Sequence, residues 1–198
     1  MRKFLPLIII AVLALGIYGW VKGFYNTANN LDEDVKLAWT NVETAYQRRN
    51  DLIGNLVNTV KGAADFEKST LEAVINARAN ATKTTIDPTN ITPEQLATFS
   101  QAQGGLSSAL SRLLVTVEKY PDLKANQNFL KLQDELASTE NQIATQRDRF
   151  NATIKPYNTH IRNFPGNILA GFFNLQQKEG FKAVEGAEKA PEVKFDFK

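Results

Sequence analysis

The sequence predicts an all-α protein: an N-terminal transmembrane helix followed by a long antiparallel, up-and-down four-helix bundle. Residues 4–21 form an uncharged apolar run, and beyond Leu31 apolar residues recur three and four positions apart, which is the spacing of one helix face. No stretch of comparable length alternates between apolar and polar residues as a half-buried strand would. Long helices joined by short breaks favour antiparallel neighbours.

The composition limits the size of the core and the chemistry available to it. The chain has 198 residues, of which 43% are hydrophobic, enough for one core with appendages. The formal net charge is +2 and the basic residues are interspersed with acidic ones, so we expect no nucleic acid partner. Because the sequence contains no cysteine, disulfides, thiolate nucleophiles and thiolate metal sites are excluded.

The first predicted element is a membrane anchor over residues 4–22. Its apolar run starts at Phe4 and ends at Val21, near the short end of the roughly 17 to 25 residues that span a bilayer. Tyr18 and Trp20 suit the interfacial aromatic belt, and the Lys22 side chain can reach the lipid headgroups. A cleaved signal peptide would have a shorter apolar region ending in small residues, so we expect an uncleaved anchor.

The charges on either side of this helix predict its orientation. Residues 1–3 form a basic flank, whereas Lys22 is followed by the acidic residues 32–34. By the positive-inside rule the N-terminus stays in the cytoplasm. The rest of the chain would then lie on the periplasmic or exterior side.

Residues 24–163 carry the periodic pattern of the bundle. Its first stripe runs from Leu31 and continues through Ile75, and the helix break within it falls at either 48–51 or 62–65. The pattern fades over 82–94, which predicts a loop. Thr92 followed by Pro93 is typical of the start of another helix.

Two more helices complete the predicted bundle. One runs from Leu96 to Val117, and within it the pair Gly104-Gly105 indicates either close helix packing or a local break. The chain should turn at 120–122. The last stripe, from 129 to 161, has the near-heptad spacing of long packed helices, with a kink expected at Pro156.

Two segments follow the bundle. Residues 164–181 form an apolar segment that includes Phe164, Phe172 and Phe173, and residues 182–198 form a polar tail. An even number of helices returns the chain to the membrane end of an up-and-down bundle. The apolar segment is therefore predicted to be membrane-proximal, where it either packs under the bundle or lies against the bilayer or a membrane partner.

Several motifs resemble those of a known family. YQRRNDLIGNLVNTVKG (46–62) is similar to the LemA signature of paired arginines, DLIPNLV and TVKG. The segments 107–147 and 150–173 resemble its YPxLKA, NFxxLxxEL, TENxIA and YNxxIxxFP elements in the same order. The chain departs from the family at Gly54, where a proline is usual, and at Asp65-Phe66, where an aromatic or histidine pair is common.

The resemblance implies a single-pass protein of the bacterial inner membrane, with a four-helix bundle and no determined molecular activity. The family's proline would favour the helix break at 48–51, since proline is tolerated in the opening turn of a helix. Length favours 62–65. A helix over 24–48 rises about 36 Å, whereas a return over 51–82 descends about 48 Å, so it would enter the bilayer if the bundle axis continued the anchor axis. A tilt near Gly16, Gly19 or Gly23 would remove this conflict.

The residues suited to catalysis form no recognisable site. His160 is the only histidine, so a histidine metal cluster cannot be assembled, and a structural role is expected for it. The bundle carboxylates considered for a hydrolytic pair are Glu67, Glu72, Asp134, Glu135, Glu140 and Asp148. They lack the Glu-x-x-His spacing of known bundle sites. We therefore predict no enzyme, no catalytic or metal residues, no cofactor and no small-molecule substrate.

Polar residues recur along the bundle and could form an interaction surface. The strongest candidates are Arg48, Arg49, Asp51, Asn55, Glu140, Asn141 and Arg147, together with Phe164, Phe172 and Phe173. Asn58, Thr139, Asn151, Asn158 and Asn163 belong to the same polar set. Solvated faces with a few interhelical hydrogen bonds would explain this pattern equally simply.

These features lead to one hypothesis and two alternatives. The hypothesis is a membrane-anchored scaffold or adaptor of the bacterial envelope, which contacts the bilayer through its first helix and binds protein partners through the bundle. A self-assembling membrane organiser is the first alternative. A cofactor-independent hydrolase using bundle carboxylates is the second.

Overall fold

Helices form nearly all of the structure. The computed structural model describes residues 4–62 and 66–182, and these residues contain no β-strand, so the all-α prediction is confirmed. The helices are α1 (Leu5–Lys61), α2 (Lys68–Lys83), α3 (Pro93–Val117), α4 (Pro121–Lys124), α5 (Gln127–Arg162) and α6 (Gly166–Phe172). The predicted basic flank, 1–3, and residues 183–198 of the predicted polar tail lie outside the described residues.

Helix α1 joins the apolar N-terminal segment to the bundle without a break. It contains 57 residues and is therefore about 85 Å long. The apolar side chains near its start are exposed, for example Leu15 at 70% and Tyr18 at 66%, whereas Val35, Trp39 and Val42 farther along the helix are buried. Of the described helices, α1 is long and apolar enough to cross a membrane.

The first helix break lies at the later of the two positions that the sequence allowed. Helix α1 continues through 48–51, ends at Lys61 and is followed by a turn at Gly62. This position agrees with the length argument, because it lets α2 return beside the distal part of α1. The family's proline position is occupied here by Gly54, which leaves the helix intact.

Helices α1, α2, α3 and α5 form the four-helix bundle. Helix α1 packs along α5 and, near its distal end, against α2, while α2 packs against α3. The start of α3 has a capping box, in which Thr92 Oγ1 accepts from the Gln95 amide at 3.2 Å and Gln95 Oε1 accepts from the Thr92 amide at 3.0 Å. The predicted helix start at Pro93 is confirmed.

The glycine pair of α3 and Pro156 both lie inside continuous helices. Helix α3 continues through Gly104 and Gly105, and a Cβ at either position would have no described atom within 4 Å, so the glycines mark neither a break nor close packing. Gly104 instead lines a groove on the bundle surface. Pro156 lies inside α5, which continues past it to Arg162.

A candidate interaction groove along α5

A buried polar layer divides the bundle core in two. One cluster lies nearer the N-terminal end of α1 and includes Trp39 and Phe150, and the distal cluster includes Leu56 and Leu113. Between them lie four buried polar residues, which are 0 to 4% exposed: Arg49, Asn50, Gln103 and Thr139. Because buried polar groups are costly without partners, this layer fixes the relative register of the helices that supply it.

Arg49 is the centre of the polar layer. Its Nη1 donates to Ser107 Oγ at 3.1 Å and to Glu140 Oε1 at 3.0 Å. Its Nη2 donates to the Gln103 side chain and backbone carbonyl, and Gln103 Nε2 donates to the Ala81 carbonyl at 3.4 Å. One guanidinium therefore connects α1 directly to α3 and α5, and indirectly to α2. The side chain of Glu140 is 46% exposed, so the layer opens to solvent on one side.

A second arginine supports α1 next to this layer. Arg78 Nε on α2 donates to the Asn50 carbonyl at 2.8 Å. The guanidinium of Arg78 also covers Gly54, where an added Cβ would lie 3.1 Å from Nη2. The small residue at position 54 thus gives Arg78 close access to the α1 backbone.

A groove of about 440 Å³ opens over the exposed side of the polar layer. Helices α1, α3 and α5 and the segment after α6 all contribute to its walls, which include Tyr46, Arg49, Ser100, Gly104, Glu140 and Arg147. Charged and aromatic side chains therefore face the same cavity. The missing side chain at Gly104 helps to keep it open.

The segment after α6 forms one wall of this groove through residues 179–182 and covers an extension of the groove along α5. Residues 175–182 have no helix or strand conformation and run antiparallel to α5. Asn158 Nδ2 donates to the Lys178 carbonyl at 2.8 Å, and Asn158 Oδ1 accepts from the Lys178 amide at 2.9 Å. Asn151 makes the same pair with Phe181, at 3.0 Å and 2.9 Å. Two asparagine side chains thus hold the backbone of this segment.

Two side chains of the segment have defined contacts. Lys178 Nζ lies 2.6 Å from Asp32 Oδ1 and 5.2 Å from the Tyr157 ring centroid. The Phe181 ring lies 5.9 Å from that of Trp39 and 5.7 Å from that of Phe150, and the Arg147 guanidinium is 4.4 Å from its centroid. Phe181 therefore covers the aromatic centre of the cluster that contains Trp39 and Phe150.

Helix α6 lies at the base of the bundle. Its Gly166 packs so closely that a Cβ there would lie 2.5 Å from Phe24 Cε2. His160 stacks on Phe24, with ring centroids 4.5 Å apart, and its Nε2 lies 3.0 Å from the Phe24 carbonyl, to which it donates. Phe164 and Phe172 point away and are each 82% exposed. The segment packs under the bundle through one face and presents apolar side chains on the other.

The predicted surface residues do not form one patch. Arg49, Glu140 and Arg147 meet in the groove, although Arg49 is buried rather than exposed. Asp51 and Asn55 line a different, shallow depression beside Arg78, and Arg48 and Asn141 are exposed. Phe173 is half-buried, with its ring 4.9 Å from that of Tyr25.

Sequence reasoning missed Ser107 and Phe181 as members of the groove, and Lys178 as the partner of Asp32 beside it. Gln103 was visible only as an interruption of the apolar stripe of α3. Asn151 and Asn158 belong to the predicted polar set, and each directly follows a core aromatic residue of α5, Phe150 or Tyr157. That seven-residue repeat of an aromatic followed by asparagine was the available signal.

The carboxylates considered for hydrolysis lie in separate interactions. Glu140 binds Arg49, Glu72 lies 3.6 Å from Lys68, and Glu135 lies 3.9 Å from Lys131. Glu67 accepts from Ser69 Oγ at 2.8 Å. Within 4–62 and 66–182, no group of three or more histidine, aspartate or glutamate side chains could hold a metal ion. Glu67, Glu72, Glu135 and Glu140 therefore lie in separate contacts, and Asp134 and Asp148 are exposed.

Comparison with known proteins identifies relatives with similar sequences. The chain is similar to magnetosome protein MamQ 2 of Paramagnetospirillum magneticum, with 29% identity over 175 residues, which is 80% of this chain and 64% of the relative. Magnetosome protein MamQ of Magnetospirillum gryphiswaldense is 29% identical over 184 residues, 84% of this chain and 65% of the relative. The chain thus spans less than two thirds of these relatives.

Protein LemA of Metamycoplasma hominis is 25% identical over 179 residues, covering 90% of this chain and 78% of the relative. The profile of the LemA family matches residues 38–195, which include every motif segment from 46 to 173 that carried the resemblance. The match begins inside α1 and extends past residues 175–182, which we call the clamped segment because Asn151 and Asn158 hold its backbone. On this basis the chain belongs to the LemA family.

Proposed function

We propose that this membrane-associated protein is a scaffold or adaptor of the bacterial envelope, which presents its groove to other proteins at a fixed distance from the bilayer. The observation that carries the proposal is the groove itself. It combines arginines, glutamates, hydroxyls and aromatic rings on the surface of the four-helix bundle. Such mixed, concave surfaces suit protein recognition, in which aromatic and arginine side chains contribute most of the binding energy.

The continuity of α1 supports the membrane part of the proposal. We propose that residues 4–22 cross the inner membrane once and that 24–163 stand outside it as the bundle. The exposed face of α6 would then lie against the lipid headgroups, because Gly166 at the start of α6 packs against Phe24, just after the proposed anchor. A spin label at Phe172→Cys should be broadened by paramagnetic lipids in reconstituted protein, and a label at Ser111→Cys should not. Equal broadening at both positions would contradict this placement.

The adaptor proposal is tested by photo-crosslinking in cells. A photoreactive residue replaces Ser100, which lines the groove, and in a control variant it replaces Arg112, which is exposed on another face of the same helix. We expect one or more envelope proteins, identified by mass spectrometry, to be captured from position 100 and not from 112.

Other outcomes distinguish the alternatives. Capture only of a second copy of the chain would support the self-assembling organiser instead. Equal capture from both positions, or no capture from either, would contradict the adaptor proposal. The separation of the bundle carboxylates gives no support to a hydrolase.

A further inference from the structure

The two asparagine clamps on α5 match the geometry of an extended peptide. Asn151 and Asn158 are seven residues apart, so they are separated by about 10.5 Å along the helix. The two residues they hold, Lys178 and Phe181, are three apart. Three residues of an extended chain of the polyproline II type rise about 9 Å and bring equivalent backbone groups to the same side. Both carboxamides can therefore pair with one extended chain.

The clamps do not recognise particular side chains. Each asparagine donates to the carbonyl and accepts from the amide of one residue, and both groups are present at every non-proline position. This arrangement of side-chain amides holds a backbone irrespective of its sequence. Specificity then depends on the neighbouring side chains.

Three positions of the segment supply that specificity. Lys178 reaches the Asp32 carboxylate, and Phe181 packs against Trp39 and Phe150. A Cβ on Gly180 would clash with the Asn151 carboxamide, lying 2.9 Å from its Cγ. Because that carboxamide is held by two backbone hydrogen bonds, it cannot move without releasing Phe181. The groove therefore selects lysine, any residue, glycine and an aromatic residue, in that order.

We propose that this part of the groove is a peptide-binding site for an extended Lys-x-Gly-aromatic segment of a partner protein, and that residues 178–181 fill it as an internal ligand. The proposal rests on the adaptor function proposed above and names the ligand of the same groove. The segment enters from α6 at the base of the bundle, outside the four helices that form the core. It can leave the groove without separating those helices, and its departure exposes Trp39 and Phe150.

The internal ligand makes the site autoinhibited. A tethered segment has an effective concentration in the millimolar range, so a free peptide at micromolar concentration competes poorly with it. The apparent affinity for a partner is reduced by the fraction of molecules in which the groove is open. Weakening the attachment of residues 178–181 should therefore raise the affinity of the site for a free peptide.

The test uses the full-length chain in lipid nanodiscs and a fluorescent peptide with the sequence of residues 174–182. We expect fluorescence anisotropy to show at least tenfold tighter binding to the Phe181→Ala chain than to the unaltered chain. The variant Gly180→Ala, which retains the phenylalanine, should give the same gain. A control peptide carrying alanine in place of the glycine should bind at least tenfold more weakly to both variants.

Isosteric clamp variants provide the second control. Replacing Asn151→Asp and Asn158→Asp in the Phe181→Ala chain removes both donors while keeping side-chain size, and should abolish binding. Circular dichroism should confirm that these chains stay folded. Equal affinity for the opened and unaltered chains, or for the two peptides, would overturn the proposal.

The proposed site and the proposed adaptor function can fail separately. If the peptide does not bind the opened chains but Ser100 captures identified proteins, the peptide site is wrong and the adaptor stands. If the peptide binds selectively but cells show no capture, the adaptor is wrong. Crosslinks in which 178–181 of a second copy occupies the groove would replace the partner protein with another copy of this chain.

Discussion

At the residue scale, Arg49 shows how the position of a residue around the helix axis decides whether its side chain is buried. Its neighbour Arg48 is exposed, while Arg49 is 2% exposed. The distinction could be predicted, because Tyr46, Arg49 and Ile53 continue the three-and-four spacing of the buried face of α1. Its partners Ser107 and Glu140 could not be predicted, because their contacts with Arg49 depend on the register between helices that are distant in sequence.

Substituting Arg49 should destabilise the bundle. Arg49→Ala removes donors to three groups of the polar layer and leaves Gln103 buried without this partner. We expect a loss of about 2 to 3 kcal/mol in the free energy of unfolding, moderated because Glu140 reaches solvent. Chemical denaturation of the protein in detergent measures it. Arg48→Ala is the matched control, expected within about 0.5 kcal/mol of the unaltered protein; equal losses would contradict the assigned roles.

The Asp32 carboxylate should make the attachment of the clamped segment sensitive to acid. Burial raises the pKa of Asp32, but hydrogen bonds from Lys178 and Lys36 outweigh this effect, so the net pKa lies below the usual value of 3.8. Glu33, bound to Lys36, and Tyr157 also face this cluster. A lowered folded-state pKa contributes stability above the unfolded-state value, and this stability is lost as pH falls through the folded-state pKa.

The measurement compares thermal unfolding of the unaltered chain and Asp32→Asn between pH 6 and pH 3. We expect the unaltered chain to be more stable near pH 6 and the difference to shrink below about pH 4. Asp34→Asn, at an exposed position on the same turn, should show no comparable pH dependence. A constant difference between the two chains across this range would exclude the proposed ion pair as its cause.

At the element scale, the helices could be predicted from periodicity, whereas the segments between and after them could be predicted less well. The start of α3 and the stripe of α5 lie where the pattern places them, because burial of one apolar face is what stabilises these helices. The break after α1 could be chosen only by length. The clamped segment left no periodic signal, since its main contacts join its backbone to asparagine side chains.

The glycine pair of α3 offers a test at the same scale. Gly105 lies within a continuous helix, and a Cβ there meets no described atom within 4 Å. Gly105→Ala should therefore stabilise the protein by about 0.5 to 1 kcal/mol, because alanine loses less conformational freedom on folding. Denaturant unfolding checks this gain. Gly166→Ala is the contrasting variant, since its Cβ would meet Phe24, and it should destabilise.

At the scale of the whole molecule, the orientation in the membrane can be determined because the natural sequence contains no cysteine. We expect Lys119→Cys, exposed at the distal end of the bundle, to react with a membrane-impermeant maleimide in intact spheroplasts. Arg2→Cys should react only after lysis, because the positive-inside rule predicts that the basic flank stays in the cytoplasm. The reverse pattern of labelling would place the bundle in the cytoplasm.

Because α1 is unbroken, a tilt of its N-terminal segment should also tilt the bundle. Arg49 lies 27 residues beyond Lys22, about 40 Å along the helix, and no hinge separates the two. Transmembrane helices tilt by about 20° on average, and the tilt responds to bilayer thickness. A change of 10° at the anchor would swing the groove sideways by roughly 7 Å. We expect infrared dichroism in oriented bilayers of different thickness to show the bundle helices tilting with the proposed anchor, so that lipid composition would set the position of the proposed binding groove.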